Sequence, residues 1–278
     1  MNKIIDGKEI SGKIKDNLKK EIELIDSVLK LVVIQVGDDP ASDVYIKNKR
    51  KLCEEMHILF EHKKYNYIEE KELIKEIEIL NSDDSVTGIL VQFPLPNYLN
   101  KDNIVNKISL KKDVDGLNNE NRGKLFSELD SLVPCTASGI MKLLKYKNID
   151  LKGKNVVILG RSKLVGIPLC ALLLQENATV TICHSKTVNL IEHTKKADIL
   201  IVAIGKKEFI TDEYVKDNSI IIDVGINRYD GKLYGDCNFD LVYNKCKYIT
   251  PVPGGVGPLT VIMLINNIIK AYYLQKNK

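Results

Sequence analysis

The sequence predicts an α/β protein of two domains, each built on a parallel sheet, with a last helix returning to the first domain. Three observations carry that expectation. Apolar runs alternate with helical stretches over residues 31–93 and again over residues 155–224. Between Val156 and Pro168 an apolar strand runs into Gly160-Arg161-Ser162 and then an apolar helix from Gly166, the layout of a Rossmann unit. The glycine- and proline-dense stretch from Thr250 to Pro258 opens a closing helix with no strand after it. The expected division is residues 1–138, completed by 257–278, and residues 139–256.

In chain order, Ile10, Ile14, Leu18, Ile22 and Ile25 recur at helical spacing, and Leu31 to Val36 reads as a buried strand. Asp38-Asp39-Pro40 is a helix start, because proline suits the first helical turn, and that helix runs to about His57. A strand follows over residues 59–65, then a helix carrying Leu73, Ile77 and Leu80, then a strand from Gly88 to Phe93. Pro94 and Pro96 end it, since proline cannot donate to a ladder. A loop holds Asp113-Val-Asp115-Gly116, and a helix begins at Thr136 or Ser138, at the domain junction. The second alternation comprises strands at 155–159, 179–183, 199–203 and 220–224, helices at 166–177 and 189–196, and a final helix at about 257–274.

Composition narrows the function classes. A chain of 278 residues with 44% hydrophobic and 28% charged residues is ordinary for a globular protein, and a formal charge of +4 is too small to imply nucleic acid. Its lysines read as solvated helix faces, balanced by glutamates. No apolar run reaches the ~18 residues of a membrane span, and the N-terminus lacks a signal-peptide core, so a cytoplasmic protein is expected. Six cysteines without a Cys-x-x-Cys pair, and four ungrouped histidines, predict reduced packing thiols and no structural metal.

Five constellations could carry chemistry. The turn at Gly160 departs from the Gly-x-Gly-x-x-Gly fingerprint, and the next strand ends in His184-Ser185-Lys186-Thr187 with no carboxylate to hold a ribose diol. A hydroxyl and a cation there, with Arg161 in the turn, suit a 2′-phosphate, so NADP is expected over NAD; the alternative is an unoccupied α/β turn. Tyr45 and Lys49 share one helix face at the carboxyl end of the first strand, where ligands of open sheets bind. Lys49 becomes a general acid or base only if its pKa falls; otherwise the pair is surface decoration. Gln92 and Asp115 lie on the same rim, though each could merely cap a loop. The run from Pro251 to Thr260 makes a stiff loop, poor in side chains, that either approaches a flat ligand or simply connects domains.

Taken in order, Tyr45-Ile-Lys-Asn-Lys49, Val91-Gln92-Phe-Pro-Leu-Pro96, Lys112-Asp113-Val-Asp115-Gly116, Pro134-Cys135-Thr136, Gly160-Arg161-Ser162 and Pro253-Gly-Gly-Val-Gly-Pro258 resemble the methylenetetrahydrofolate dehydrogenase/cyclohydrolase family over nearly the whole chain. The resemblance implies NADP-dependent oxidation of 5,10-methylenetetrahydrofolate to the methenyl form, then hydrolysis to 10-formyltetrahydrofolate, in one-carbon metabolism and purine biosynthesis. It implies Lys49 as general acid/base, Tyr45 as stacking partner of the folate, Gln92 as tuner of Lys49 and Asp115 as anchor of the pterin. It further implies cofactor contacts from Gly160, Arg161, Ser162, Ser185 and Ile226, substrate contacts from Pro253, Gly254 and Gly255, and a homodimer. Ala137-Ser138 and Leu259 depart from the family's usual proline and methionine and bear on fine geometry. A monofunctional dehydrogenase, an NADP-dependent amino- or keto-acid dehydrogenase and a non-catalytic nucleotide sensor are the competing readings.

Overall fold

The computed structural model describes residues 3–276. The chain runs α1 (Gly7–Glu23), β1 (Lys30–Val36), α2 (Pro40–Glu55), β2 (Leu59–Tyr65), α3 (Glu70–Ser82), β3 (Gly88–Val91), α4 (Lys101–Val105), α5 (Asn119–Phe126) and α6 (Cys135–Tyr146). It continues through β4 (Asn155–Leu159), α7 (Gly166–Gln175), β5 (Thr179–Cys183), α8 (Leu190–Thr194), β6 (Ile199–Val202) and β7 (Ile220–Asp223). A hairpin of β8 (Asn227–Tyr229) and β9 (Lys232–Tyr234), then α9 (Phe239–Tyr243), β10 (Tyr248–Ile249) and α10 (Val256–Lys276), complete it. Two compact units result: one takes the chain through Ile14 with Thr136–Thr260, the other Lys15–Cys135 with the chain from Val261.

In the Lys15–Cys135 unit a parallel sheet has the order β2-β1-β3, so the chain moves from β1 to one side and then to the other. That reversal opens a crevice beyond the carboxyl ends of β1 and β3, where α2 starts and Gln92 follows. The sheet's core is Val32, Ile34, Ile89 and Val91 against Leu73, Ile77 and Leu80 of α3. These helix residues recur every three or four positions and so form one apolar face. The predicted third strand is shorter than expected. It stops at Val91, and the ladder is carried one step further by the Gln92 N–H, which donates to Ile34 O at 2.8 Å. The C-terminal helix returns to this unit: Gln275 Nε2 donates to Thr87 O at 2.9 Å and Lys111 O at 3.1 Å.

The other unit holds five parallel strands in the order β10-β7-β6-β4-β5. Here the reversal falls at β4, whose neighbours are β5 and β6, and Gly160 lies at its end. Val157, Leu159, Leu200, Val202 and Ile221 supply its buried core. The first residues of the chain are tied here as well, with the Ile5 N–H donating to Ile249 O at 2.8 Å and the Gly7 N–H to Gly254 O at 2.9 Å. For this reason the contact division differs at the N-terminus from the functional boundaries expected above. All six cysteines are free thiols.

Candidate active site

Helix α2 is aimed by its first turn. The Asp39 carboxylate accepts from the Ser42 N–H and hydroxyl, both at 2.8 Å, with Pro40 following as the start signal requires. Asp43 is held by Gln35 Nε2 at 2.9 Å, and Gln35 Oε1 in turn meets His62 Nε2 at 2.9 Å. Tyr45 and Lys49, one turn apart, follow on this helix; Tyr45 is 46% exposed and Lys49 is half-buried.

Gln92 is buried, and its amide orientation is set because Nε2 donates to Phe93 O at 2.7 Å. The remaining Oε1 therefore faces Lys49 and accepts from Nζ at 2.8 Å. Burial pushes the Lys49 pKa down, opposed by the charge of Asp115 and, more weakly, by Cys135 and Cys53. Burial pushes the Asp115 carboxyl up, and Lys49 pulls it back. Lys49, Gln92 and Asp115 are thus one electrostatic group, with an amine displaced toward its neutral form.

The segment carrying Asp115 is pinned residue by residue. The Ile89 N–H donates to Lys112 O at 2.8 Å, and Lys112 Nζ donates to Leu80 O at 3.0 Å and Asp83 O at 2.7 Å, capping the end of α3. Asp113 turns inward, accepting from the N–H groups of Leu117 at 3.2 Å and Asn118 at 2.8 Å and from Asn121 Nδ2 at 2.9 Å. Burial raises its pKa to about 7 despite these donors. Gly116 has φ +69°, and a Cβ there would lie 2.6 Å from Pro134 N. The motif's first aspartate therefore builds the loop, and its second is presented by it.

In the other unit, the Gly160 turn is shaped by missing side chains. Gly160 has φ +119°, a Cβ on it would lie 2.3 Å from Ala203 O, and one on Gly166 would lie 2.0 Å from Gly160 O. Ser162 Oγ accepts from the Val165 N–H at 3.1 Å, tightening the turn before α7. Arg161 and Ser162 are exposed, as is Ser185 at the end of adjacent β5. A backbone-lined turn at a helix N-terminus with an exposed guanidinium and hydroxyl fits a dinucleotide bearing a further phosphate.

Ile226 is 50% exposed and lies in van der Waals contact with the position a Cβ on Gly257 would take. In the loop before α10, Pro253 is exposed, Gly254 has φ +107°, and a Cβ on Gly255 would lie 2.5 Å from Pro251 O. The loop tolerates no side chain at that glycine.

Sequence reasoning missed a pair of buried carboxylates behind these loops. Asp236 accepts from the N–H groups of Ile204, Gly205 and Lys206 and from Asn227 Nδ2 at 2.7–3.0 Å. Asp223 accepts from Gly225, Asp236 and Cys237 N–H groups, and burial raises its pKa to about 6. The only sequence signal was an acid ending the apolar run Ile-Ile-Ile-Asp223. Among the described residues no group of three or more His, Cys, Asp or Glu is gathered for a metal.

Comparison with known proteins agrees with this arrangement. The family model for the tetrahydrofolate dehydrogenase/cyclohydrolase catalytic domain matches residues 5–115, and that for the family's NAD(P)-binding domain matches residues 134–276. The bifunctional protein FolD of Lachnoclostridium phytofermentans is 52% identical over 274 residues, covering 97% of both chains. The crystal structure of the bifunctional methylenetetrahydrofolate dehydrogenase/cyclohydrolase FolD from Campylobacter jejuni superposes with TM-score 0.94 at 46% identity, over 98% of this chain and 99% of that one. The Trypanosoma brucei enzyme, solved with NADP cofactor and inhibitor, superposes with TM-score 0.93 at 33% identity, over 99% of this chain and 98% of that one. With both domain models matched in order and half the residues shared with relatives of equal length, this chain belongs to the tetrahydrofolate dehydrogenase/cyclohydrolase family.

Proposed function

We propose that Lys49, Gln92, Asp115 and Tyr45 form the folate centre of a bifunctional enzyme that oxidises 5,10-methylenetetrahydrofolate with NADP and hydrolyses the methenyl product to 10-formyltetrahydrofolate. The observation that carries it is the 2.8 Å bond from Lys49 Nζ to the amide oxygen Gln92 Oε1, beside the Asp115 carboxylate, with the amine pushed toward neutrality. The relatives are named bifunctional, which disfavours a dehydrogenase alone.

Oxidation needs little from side chains. A carbon bridging two nitrogens opens toward an iminium and gives up hydride without a strong base, so placement dominates. NADP, when bound, supplies the hydride acceptor. Asp115 accepts N–H bonds from the pterin and fixes its orientation, and Tyr45 covers its face. Hydrolysis does need proton traffic. Water adds to the methenyl carbon as neutral Lys49 Nζ takes one of its protons; the ammonium returns that proton to the departing ring nitrogen as the C–N bond breaks, and the remaining hydroxyl proton leaves to solvent as the formyl C=O forms. Gln92 keeps Nζ pointed at that water through both transfers.

In the other unit, Gly160, Ser162 and Ile226 hold the dinucleotide, Arg161 and Ser185 take its 2′-phosphate, and Pro253, Gly254 and Gly255 contact the substrate. The functional division is 1–138 with 257–278 for folate and 139–256 for NADP. The enzyme works as a cytoplasmic homodimer feeding purine biosynthesis; no described helix is long and apolar enough to cross a membrane. Sedimentation of the purified protein tests the dimer. A progress curve following NADPH and methenyl absorbance together tests the chemistry: methenyl that accumulates in step with NADPH and never declines would leave only the dehydrogenase.

A further inference from the structure

Helix α10 carries an amide where its neighbours are apolar. Asn267 is 2% exposed, between buried Leu264, Ile265, Ile268 and Ile269. A buried polar side chain costs stability unless it is hydrogen-bonded, and this one is bonded to two separate segments. Its Nδ2 donates to Val114 O and to Val133 O, both at 2.8 Å. The two hydrogens of the amide nitrogen thus serve two carbonyls from separate segments, with Cys135 Sγ a third, longer contact at 3.6 Å.

Those segments are the ones that meet at Gly116. A Cβ on Gly116 would lie 2.6 Å from both Val133 C and Pro134 N and 2.9 Å from Leu132 O. The backbones therefore touch, and Asn267 bridges them one peptide before Asp115 on one side and at Val133 on the other. Fixing the Val114 carbonyl restrains the plane of the peptide that leads into Asp115, the frame from which the Asp115 side chain projects. Lys112 and Asp113 secure the preceding residues by other contacts, whereas Val114 O takes its short bond from the C-terminal helix, with a longer one of 3.6 Å from Cys135 Sγ.

We infer that Asn267 is a positioning residue for the folate reaction, setting the direction of the Asp115 carboxylate from a helix more than a hundred residues away. The inference rests on reading Asp115 as the pterin anchor. A control lies on the same helix: Gln275 also reaches carbonyls of other segments, Thr87 and Lys111, besides Ala271 O of its own helix, without touching the peptide before Asp115.

The test compares Asn267→Leu, Gln275→Leu and Asp115→Asn in the full-length protein, measuring thermal midpoint and separate KM values for methylenetetrahydrofolate and NADP. Both leucine variants should lower the thermal midpoint. Only Asn267→Leu should also raise the folate KM, by roughly tenfold and in the same direction as Asp115→Asn, with the NADP KM unchanged within about twofold. Should Asn267→Leu yield no folded protein, Asn267→Ser carries the same comparison. A folate KM matching that of Gln275→Leu, while Asp115→Asn raises its own, would overturn the inference and leave the site reading intact. An unaltered folate KM and kcat in Asp115→Asn would instead bring down the reading of Asp115, and the inference with it.

Discussion

The proposed folate centre and the proposed cofactor turn sit at the same topological place, beyond a strand where the sheet order reverses, yet they are built in opposite ways. Around Asp115 and Lys49, side chains are locked before any ligand arrives: Gln92 has its amide orientation set, Asp113 is ringed by donors, and Lys112 caps a helix. At Gly160 the turn is defined by absent side chains, and Arg161, Ser162 and Ser185 stand exposed. The difference suits the work proposed for each. Moving a proton requires a displaced pKa, which needs burial and fixed neighbours. Gripping a polyanion requires backbone access and solvated cations, which burial would weaken.

The comparison breaks most visibly at Lys49. Lys49→Met should reduce hydrolysis by about 10²–10⁴-fold while sparing much of the hydride transfer, read from methenyl decay and NADPH formation. Equal loss of both in folded protein would remove the role assigned here. Next comes the cofactor turn itself. Gly160→Ala forces a Cβ toward Ala203 O in a backbone region that side chains rarely adopt, and should cost about 1–3 kcal/mol in strain and abolish measurable NADP binding by calorimetry. Arg161→Ala should be milder, raising the KM for NADP by roughly tenfold with little change for NAD, since only the charged hydrogen bonds to phosphate are lost.

The smallest effect sharpens the electrostatics. Burial holds Lys49 below its ordinary 10.5, so the hydrolysis rate should rise with pH through a midpoint under that value. Asp115 opposes the displacement by favouring the ammonium. Asp115→Asn removes that opposition, so the midpoint in the variant's pH–rate profile should move further down; an upward movement would contradict the coupling.

The two regions were also unequally legible in the sequence. Strands built on runs of Val, Ile and Leu, such as Leu31 to Val36 and Asn155 to Leu159, were readable because both faces of a parallel sheet are buried. Short polar helices were not. The residues of α5, Asn-Glu-Asn-Arg-Gly-Lys-Leu-Phe, carry little apolar periodicity, and the helix is started by the Asn118 side chain accepting from the Glu120 N–H. The β8–β9 hairpin was overlooked although Asp230-Gly231, both at positive φ, is the signal for such a turn. Of the proposed folate centre, Lys49, Gln92 and Asp115 could be placed on one rim from the strand ends. What could not be read was support from afar, because Asn267 looks from sequence like a stray polar residue in an apolar helix.

That distant support has a consequence for the order in which the chain is made. During synthesis, Lys15–Cys135 leaves the ribosome well before α10, and domains generally begin folding as they emerge. Until residues 261–276 follow, Val114 O, Val133 O and Thr87 O have no amide from α10, and the apolar face that this helix covers stays wet. A nascent chain stalled before Val261 would therefore already carry every candidate folate residue of this unit yet lack the proposed clasp on Asp115, so pterin affinity should arrive with the turns of α10.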